Sequence, residues 1–413
     1  MWTRMRLDIG WRDLFAGLSY CLKPTGRSRA EDEATRAWSR DDDCVISLSV
    51  RSAFDLLLRS LELRPGSEVL MSALTVPDMI RIVREHGLVP VPVDIQDDGQ
   101  LDIAGLRLAI TPRSQLLVVA HLFGGTTCMD EVIPLAREHG LLVVEDCAQS
   151  FRDVGDRGHP DSDVAMFSFG PIKTATAIGG AVARVSDREI CAKMRRQLIG
   201  DPVQSRFAFA KRLVRFATIK WLCGPRASRC FAYCARCLGY DFDSLANSFA
   251  KGFKPTHLLL QIRRRPSVPL LELLRRRWQS YDGSRIERRI EHGKKVDQRL
   301  GQQHPSGHSY WVYPLFVNDP PALCRRLQAF GYDATHRSRM AIVDGDQPTK
   351  RATLTEARWR RVVFLPWSPD MPDEAIDEMA GLVRHHLEAS RPIPGPTNAP
   401  DSTYPARNSP AIT

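Results

Sequence analysis

LLVVEDCAQS, residues 141–150, decides the fold. Its first residues form a short apolar run between Gly140 and a polar turn, which is typical of a strand buried on both faces of a parallel sheet. A helix is predicted just before it, from Met129 to His139, and the apolar stretch 114–122 (SQLLVVAHL) predicts another buried strand. This alternation indicates an α/β fold whose mostly parallel sheet is covered by helices.

The same alternation extends over residues 44–200, after which the pattern changes. Residues 201–300 are predicted to be helical and rich in arginine, residues 301–390 return to mixed strands and helices, and the last residues are rich in proline. The sequence therefore predicts an N-terminal extension (1–40), a large domain (41–250) that includes a basic helical insertion (201–250), a basic helical connector (251–300), a small α+β domain (301–390) and a disordered tail (391–413).

The charge is concentrated in one part of the chain. The net charge is +10, but between Arg206 and Arg299 there are 22 basic and 7 acidic residues, so this block alone carries +15. Such a block favours an anionic partner. No apolar run is long enough to span a bilayer, so we expect a cytoplasmic protein, with peripheral contact at the inner face of the membrane as a further option. The 10 cysteines are expected to be reduced.

Two charged residues follow the predicted strands at positions suited to cofactor chemistry. Asp146 closes the strand of residues 141–146, so its carboxylate is expected at the carboxyl edge of the sheet, where open α/β folds bind ligands. Lys173 lies 27 residues later in FSFGPIKTATAIGG (167–180), a segment with little side-chain bulk. Pyridoxal 5′-phosphate (PLP) enzymes need a lysine amine and a carboxylate beside the pyridine nitrogen. From the residues alone, a helix-capping Asp146 and a solvated Lys173 stay open as alternatives.

Five motifs occur in the same order as in a known protein family. LRPGSEVLMSALT, VPVDI, VVAHLFGG, MDEVIPLAREHGLLVVEDCAQS and FSFGPIK occur in this order between about Val45 and Arg195. Together they resemble the DegT/DnrJ-type sugar aminotransferases, and the resemblance returns weakly from about Tyr310 to Leu387. It implies the PLP-dependent transferase fold of type I, with a large sheet domain and a small α+β C-terminal domain, and a homodimer whose subunits share their active sites.

The resemblance also implies roles for individual residues. Lys173 would form the Schiff base and Asp146 would pair with the pyridinium nitrogen. Cofactor contacts would come from Ser52 at the start of a helix, Ala148 against one ring face, Gln149 at the phenolic oxygen and Ser168 at the phosphate. His121 and His336 would contact the substrate, although for His121 a packed, hydrogen-bonded role is the stronger interpretation. For Ser52, a helix N-cap is the alternative. No metal is expected.

Several positions depart from the family pattern. The phosphate-binding Ser-Gly-Thr-Ser appears as Ser49-Val50-Arg51-Ser52, so the Arg51 guanidinium could hold the phosphate. The usual ring-stacking aromatic is Val76. The segment in which the family's asparagine reaches the neighbouring subunit's phosphate carries Lys254 instead. These departures put the usual substrate contacts in doubt.

The insertion offers two further patterns. In a helix, Lys211, Arg212 and Arg215 share one arc, opposite an apolar side that includes Phe209 and Trp221. This pattern suits an anionic membrane or a lipid-linked substrate, but a helix packed on the enzyme body is the slightly stronger interpretation. Cysteines 230, 234 and 237 have the spacing of an iron–sulfur motif without the fold that normally accompanies it.

The resemblance therefore implies amino transfer from an amino acid, expected to be glutamate, to a nucleotide-linked keto-sugar in surface polysaccharide or glycolipid synthesis. Two alternatives remain: an aminotransferase acting on a lipid-linked ketone at a membrane, and a PLP-binding regulator without turnover. Nucleic-acid binding ranks below both because no aromatic stacking motif accompanies the basic block.

Overall fold

A seven-stranded mixed sheet organises the chain. The computed structural model describes residues 2, 7–23, 25–96, 98–222, 253, 256–305, 307–336, 338–345 and 351–389. Neighbouring strands follow the order β1-β8-β7-β6-β5-β2-β4, in which β8 alone runs against its neighbours. The predicted mostly parallel sheet is thereby confirmed. The strands of this sheet are β1 (Cys44–Ser47), β2 (Glu68–Ser72), β4 (Val89–Val93), β5 (Ser114–Ala120), β6 (Leu142–Asp146), β7 (Val164–Ser168) and β8 (Ala181–Val185).

Four further strands form two antiparallel pairs outside this sheet. β10 pairs with β3, and β11 pairs with β9, both antiparallel. They are β3 (Leu74–Thr75), β9 (Tyr313–Phe316), β10 (Ala341–Ile342) and β11 (Val362–Leu365).

The helices cover both faces of the large sheet and build the small domain. Their bounds are α1 (Trp11–Leu22), α2 (Arg27–Trp38), α3 (Val50–Leu61), α4 (Pro77–Glu85), α5 (Ile103–Ala109), α6 (Val132–Glu138), α7 (Arg188–Gly200), α8 (Arg206–Leu222), α9 (Leu258–Ile262), α10 (Val268–Gln279), α11 (Ser284–Leu300), α12 (Pro320–Ala329), α13 (Thr353–Trp359) and α14 (Asp373–Ala389). None of the described helices combines the length and the apolar composition needed to cross a bilayer.

The N-terminal helices are part of the main core. Helices α1, α2, α8 and α10 pack together on one face of the sheet, where Trp38 contacts Phe167 and Trp278 at ring-centroid distances of 5.3 and 5.2 Å. The opposite face packs against α3, α4 and α7. Because helices cover both faces, every residue of strands such as β2 and β8 is buried.

Helix α8 shows how the basic insertion meets this core. Phe209, Leu213 and Phe216 are buried on the enzyme body, as the packed-helix interpretation predicted. Arg212 is not part of an exposed basic arc, because its Nε donates to the Ile178 carbonyl at 2.6 Å. Burial lowers the pKa of the Arg212 guanidinium to about 10, with a further lowering by the charge of Arg215. The membrane-facing role predicted for Arg212 is therefore wrong.

The small domain has a core of its own. Strands β9 and β11 pack with α11, α12 and α14 around Tyr313, Leu323 and Ile376.

The predicted domain boundaries stay predictions. The cysteine motif, Lys254 and the tail 391–413 lie outside the described residues. The described cysteines, namely Cys21, Cys44, Cys128, Cys147, Cys191 and Cys324, form no disulfide.

Candidate active site

The predicted functional residues meet at the carboxyl edge of the sheet. Asp146 ends β6, Ser168 ends β7, and His121 follows the last residue of β5. Helix α3 begins at the same edge, since β1 runs in the direction of these strands and leads directly into it. Parallel strands place their C-terminal residues side by side, so residues far apart in sequence form one site.

Asp146 is held with one oxygen engaged. Its Oδ1 accepts a hydrogen bond from the Ala148 N–H at 3.0 Å, which leaves Oδ2 for a ligand. Burial raises the pKa of the Asp146 carboxyl, while the Ala148 N–H and the positive charges of Lys173 and Arg51 act in the opposite direction. The helix-capping alternative for Asp146 does not hold. The Ala148 N–H that bonds to its Oδ1 belongs to a turn and not to a described helix.

The amine of Lys173 has a lowered pKa. Burial lowers its pKa to about 8, against a raising effect of Asp146 and a further lowering by Arg51. About a quarter of an amine with such a pKa is neutral at pH 7.5, roughly two orders of magnitude more than for an ordinary lysine. A neutral amine is the form that attacks a carbonyl. The solvated-lysine alternative does not fit this environment.

Trp311 covers Lys173 and was missed by the sequence interpretation. The Lys173 Nζ lies 4.1 Å from the centroid of the indole ring, and the Trp311 Nε1–H donates to the Ile172 carbonyl at 3.2 Å. The loop that carries it is tied to the large domain, since the Ser309 N–H donates to the Gly124 carbonyl at 2.6 Å. A Cβ at Gly124 would lie 2.4 Å from the backbone nitrogen of Trp311, so only glycine fits there.

The start of α3 offers positive charge to an anion. Ser49 is the N-cap, because its Oγ accepts from the Ser52 N–H at 3.2 Å. Both sequence interpretations of Ser52 need correction: it lies inside the first turn, and its buried hydroxyl donates to the Ile262 carbonyl at 2.8 Å because α9 packs there. The Arg51 guanidinium pairs with Asp78 at 2.6 Å and lies 5.8 Å from the ring of Phe253.

The remaining cofactor candidates lie at the ends of strands or just after them. Val76 and Ala148 are partly buried and pack against the same core cluster. The Gln149 Oε1 accepts from the Phe123 N–H at 3.0 Å, so the amide directs its N–H groups away from this contact and towards the Met340 sulfur, 3.9 Å from Nε2. Ser168 is partly exposed at the end of β7.

His121 is a buried structural residue. Its Nδ1 accepts from the Thr127 N–H at 3.0 Å, so the ring proton is on Nε2, which donates to Glu145 Oε2 at 2.7 Å. The side chain is 1% exposed. The structure therefore supports the packed, hydrogen-bonded interpretation, and direct substrate contact by His121 does not fit its burial.

His121, Glu145 and Cys147 also form the one cluster with metal-ligand chemistry found among the described residues. The His121 and Glu145 atoms already bond to each other and to Thr127, Ser162 and the backbone. Burial raises the pKa of the Cys147 thiol well above its usual range, so it is protonated. A protonated thiol and an engaged histidine are poor metal ligands.

One predicted residue lies apart from the site, and another lies outside the described residues. His336 is exposed on a bend four residues before Met340, and no contact joins it to Lys173 or Asp146. Lys254 lies outside the described residues, although its neighbour Phe253 reaches Arg51. The substrate role of His336 and the cofactor role of Lys254 stay predictions.

The residues present fit PLP. The described donor set combines an amine of lowered pKa, a carboxylate with one oxygen unengaged by the backbone, an amide N–H and the start of a helix beside Arg51. The first N–H groups of a helix have no partner within it and favour a phosphate. Each chemical part of the cofactor, namely aldehyde, pyridine nitrogen, phenolic oxygen and phosphate, therefore finds a complementary group.

Comparison with known proteins agrees with the motifs. Residues 27–208 match the DegT/DnrJ/EryC1/StrS aminotransferase family. Over 151 residues the chain is 38% identical to a UDP-N-acetyl-3-dehydro-alpha-D-glucosamine 3-aminotransferase of Acidithiobacillus ferrooxidans, which covers 35% of this chain and 40% of that protein. Over 163 residues it is 37% identical to a dTDP-3-amino-3,4,6-trideoxy-alpha-D-glucose transaminase of Streptomyces venezuelae, covering 38% and 43%. The aligned part thus spans about two fifths of these relatives.

The fold agrees over nearly the whole chain. The sugar aminotransferase CalS13 from Micromonospora echinospora superposes with a TM-score of 0.65, covering 93% of this chain and 100% of that one at 20% identity. The fold predicted from the motifs, a large mostly parallel sheet domain with a small α+β domain, is confirmed. The likeness to the DegT/DnrJ/EryC1/StrS aminotransferase family is carried by residues 27–208, which are less than half of the chain.

Proposed function

We propose that this protein is a PLP-dependent aminotransferase acting on a nucleotide-linked keto-sugar. One observation carries the proposal: the charges of Lys173 and Asp146 interact at the sheet edge, where burial lowers the pKa of the amine to about 8 and a backbone N–H engages only Oδ1 of the carboxylate. The family match over residues 27–208 supports the same activity.

The chemistry is divided between the cofactor and the chain. PLP, when bound, supplies an electron sink for the negative charge that develops at the α-carbon of the amino donor. Asp146 would hold a proton on the pyridine nitrogen, and Arg51 with the start of α3 would bind the phosphate. Lys173 would hold the cofactor and then, as a free amine, take the proton from the donor's α-carbon. Its lowered pKa suits a base that works near neutral pH.

The substrates follow from the relatives' names. One is named for a UDP-linked 3-dehydro sugar and another for a dTDP-linked 3-amino sugar, which supports a nucleotide-linked keto-sugar as acceptor here. Glutamate is the proposed donor, and surface polysaccharide or glycolipid synthesis is the proposed context. A homodimer whose subunits share their active sites is also proposed, because the resemblance of the motifs implies it.

Turnover on nucleotide-linked amino-sugars tests the proposal. The purified protein, reconstituted with PLP, is incubated with 2-oxoglutarate and a panel of UDP-, dTDP- and GDP-linked amino-sugars, and glutamate formation is measured. We expect glutamate with at least one nucleotide-linked sugar and none with Lys173→Ala. The matched control is Lys193→Ala, which removes an amine that pairs with Glu189 on α7. A cofactor-loaded protein that exchanges no amino group with any donor would instead support the regulator without turnover.

A second candidate is an aminotransferase docked on an anionic membrane. Helices α1 and α8 lie side by side and antiparallel, since Gly17 approaches Leu213 and Cys21 lies near Arg206. Their outer surface, here called the α1/α8 face, exposes large apolar side chains: Trp11, Phe15, Leu22, Phe207, Val214 and Trp221. No acidic residue occurs in α8, which carries five basic ones. Aromatic and basic residues together suit an anionic lipid surface.

Liposome binding separates this candidate from the first. We expect the protein to sediment with phosphatidylglycerol vesicles and to be released by salt, because each basic residue near such a surface contributes ~1 kcal/mol. Lys211→Gln with Arg215→Gln should release it, whereas Arg107→Gln with Arg384→Gln on α5 and α14 should not. If wild-type protein does not bind these vesicles at low salt, the α1/α8 face does not bind membrane.

A further inference from the structure

The loop after Lys173 has an unusual backbone. Ala175 and Ile178 have φ values of +52° and +62°, a left-handed conformation that residues with a Cβ rarely adopt. Both are fully buried, as is Ala177 between them. Such a backbone persists only where surrounding contacts hold it. The contacts that hold this loop therefore decide where the Lys173 amine points.

One of these contacts comes from the N-terminal segment. Asp8 Oδ2 accepts a hydrogen bond from the Ala175 N–H at 2.8 Å. Asp8 Oδ1 accepts from the Arg285 Nε at 3.0 Å, which fixes the carboxylate from the other side. Burial, followed by the Asp8 charge and hydrogen bond, raises the pKa of Tyr281, so Tyr281 stays neutral beside it. Asp8 precedes residue 27, where the family match begins.

Arg277 joins the same segment to a second peptide of the loop. Its Nε donates to the Thr176 carbonyl at 3.1 Å, and its Nη2 donates to the Asp8 carbonyl at 2.7 Å. Its Nη1 donates to Asp13 Oδ2 at 2.8 Å. The N-terminal segment is therefore bonded to two peptides of the loop, to 174–175 directly and to 176–177 through Arg277.

We propose that Asp8 is a positioning residue for Lys173. By holding the Ala175 N–H, it keeps the loop in the left-handed conformation that directs the amine towards Asp146. The proposal rests on the proposed function only in that Lys173 is taken as the residue that binds PLP. A charged acceptor forms a strong hydrogen bond in a buried place, so its loss should free the loop.

Hydrogen exchange of the cofactor-free protein tests the contact directly. In Asp8→Ala we expect the amides of residues 174–178 to exchange about tenfold faster or more, since a hydrogen bond to a charged group is lost. Asp370→Ala is the matched control, because Asp370 also pairs with Arg285, at 2.9 Å, and does not bond to the loop. Asp8→Asn keeps an acceptor oxygen without the charge and should lie between the two.

A second readout connects the loop to the cofactor. The dissociation constant of PLP should rise about fivefold or more in Asp8→Ala and stay near the wild-type value in Asp370→Ala. Unchanged exchange at residues 174–178 in Asp8→Ala, or in Asp8→Asn if the alanine variant does not fold, would overturn the proposal. A wild-type protein that takes no PLP on Lys173 would instead overturn the proposed function, and the exchange result would still stand.

Discussion

The charges of Asp146 and Lys173 are coupled, and this coupling can be measured without substrate. Asp146 raises the pKa of Lys173, while burial lowers it to about 8. The neutral, reactive form of the amine therefore increases as the pH rises through about 8. In the cofactor-free protein, the rate at which PLP becomes fixed to Lys173 by borohydride should follow this titration.

Asp146→Asn should shift that profile and reduce catalysis. Without the negative charge the pKa of Lys173 falls further, so the midpoint of the pH profile moves to lower pH. Amino transfer should drop roughly 100-fold or more, about 3 kcal/mol of barrier, because the pyridine nitrogen loses its proton. PLP should still bind through Lys173 and α3. Near-normal turnover in a folded Asp146→Asn protein is incompatible with the proposed role.

At the scale of the element, α8 joins the basic insertion to the lysine loop. Arg212 donates to the carbonyl of Ile178, one of the two left-handed residues of that loop. Arg212→Ala leaves a buried carbonyl without its donor and should lower the free energy of unfolding by about 1–3 kcal/mol. Lys211→Ala, on the exposed side of the same helix, should change it by less than about 0.5 kcal/mol. Urea unfolding of both variants measures the difference, and equal stabilities would refute the structural role of Arg212.

The elements themselves were predictable where their sequence signals are local. The strand that ends at Asp146 and the amphipathic side of α8 follow from apolar runs and helical spacing, and the structure confirms both. Helical spacing could not predict the burial of Arg212, because a guanidinium can reach back from the edge of a helix to a carbonyl of the core. The N-cap alternative for Ser52 could not be decided from the sequence, because Ser49 and Ser52 are both suitable caps; the structure gives the cap to Ser49.

At the scale of the whole molecule, contacts between distant segments complete the site. Trp311 meets Ile172 across 139 positions of the sequence, and Asp8 meets Ala175 across 167. No periodicity or motif in the sequence joins these pairs, so they could not be predicted from it. The motifs predicted Lys173 and Asp146 because both lie within the continuous stretch that forms the parallel sheet. The covering residues come from the N-terminal segment and the small domain.

The attachment of PLP to Lys173 is the central claim, and one measurement tests it most directly. The protein is loaded with PLP, treated with borohydride and digested, and the modified peptide is identified by mass spectrometry. The account predicts a visible absorption band before reduction, one pyridoxyl group on the peptide that contains Lys173, and its loss in Lys173→Ala. A pyridoxyl group on another lysine, or a folded protein that takes up no PLP, would contradict the account.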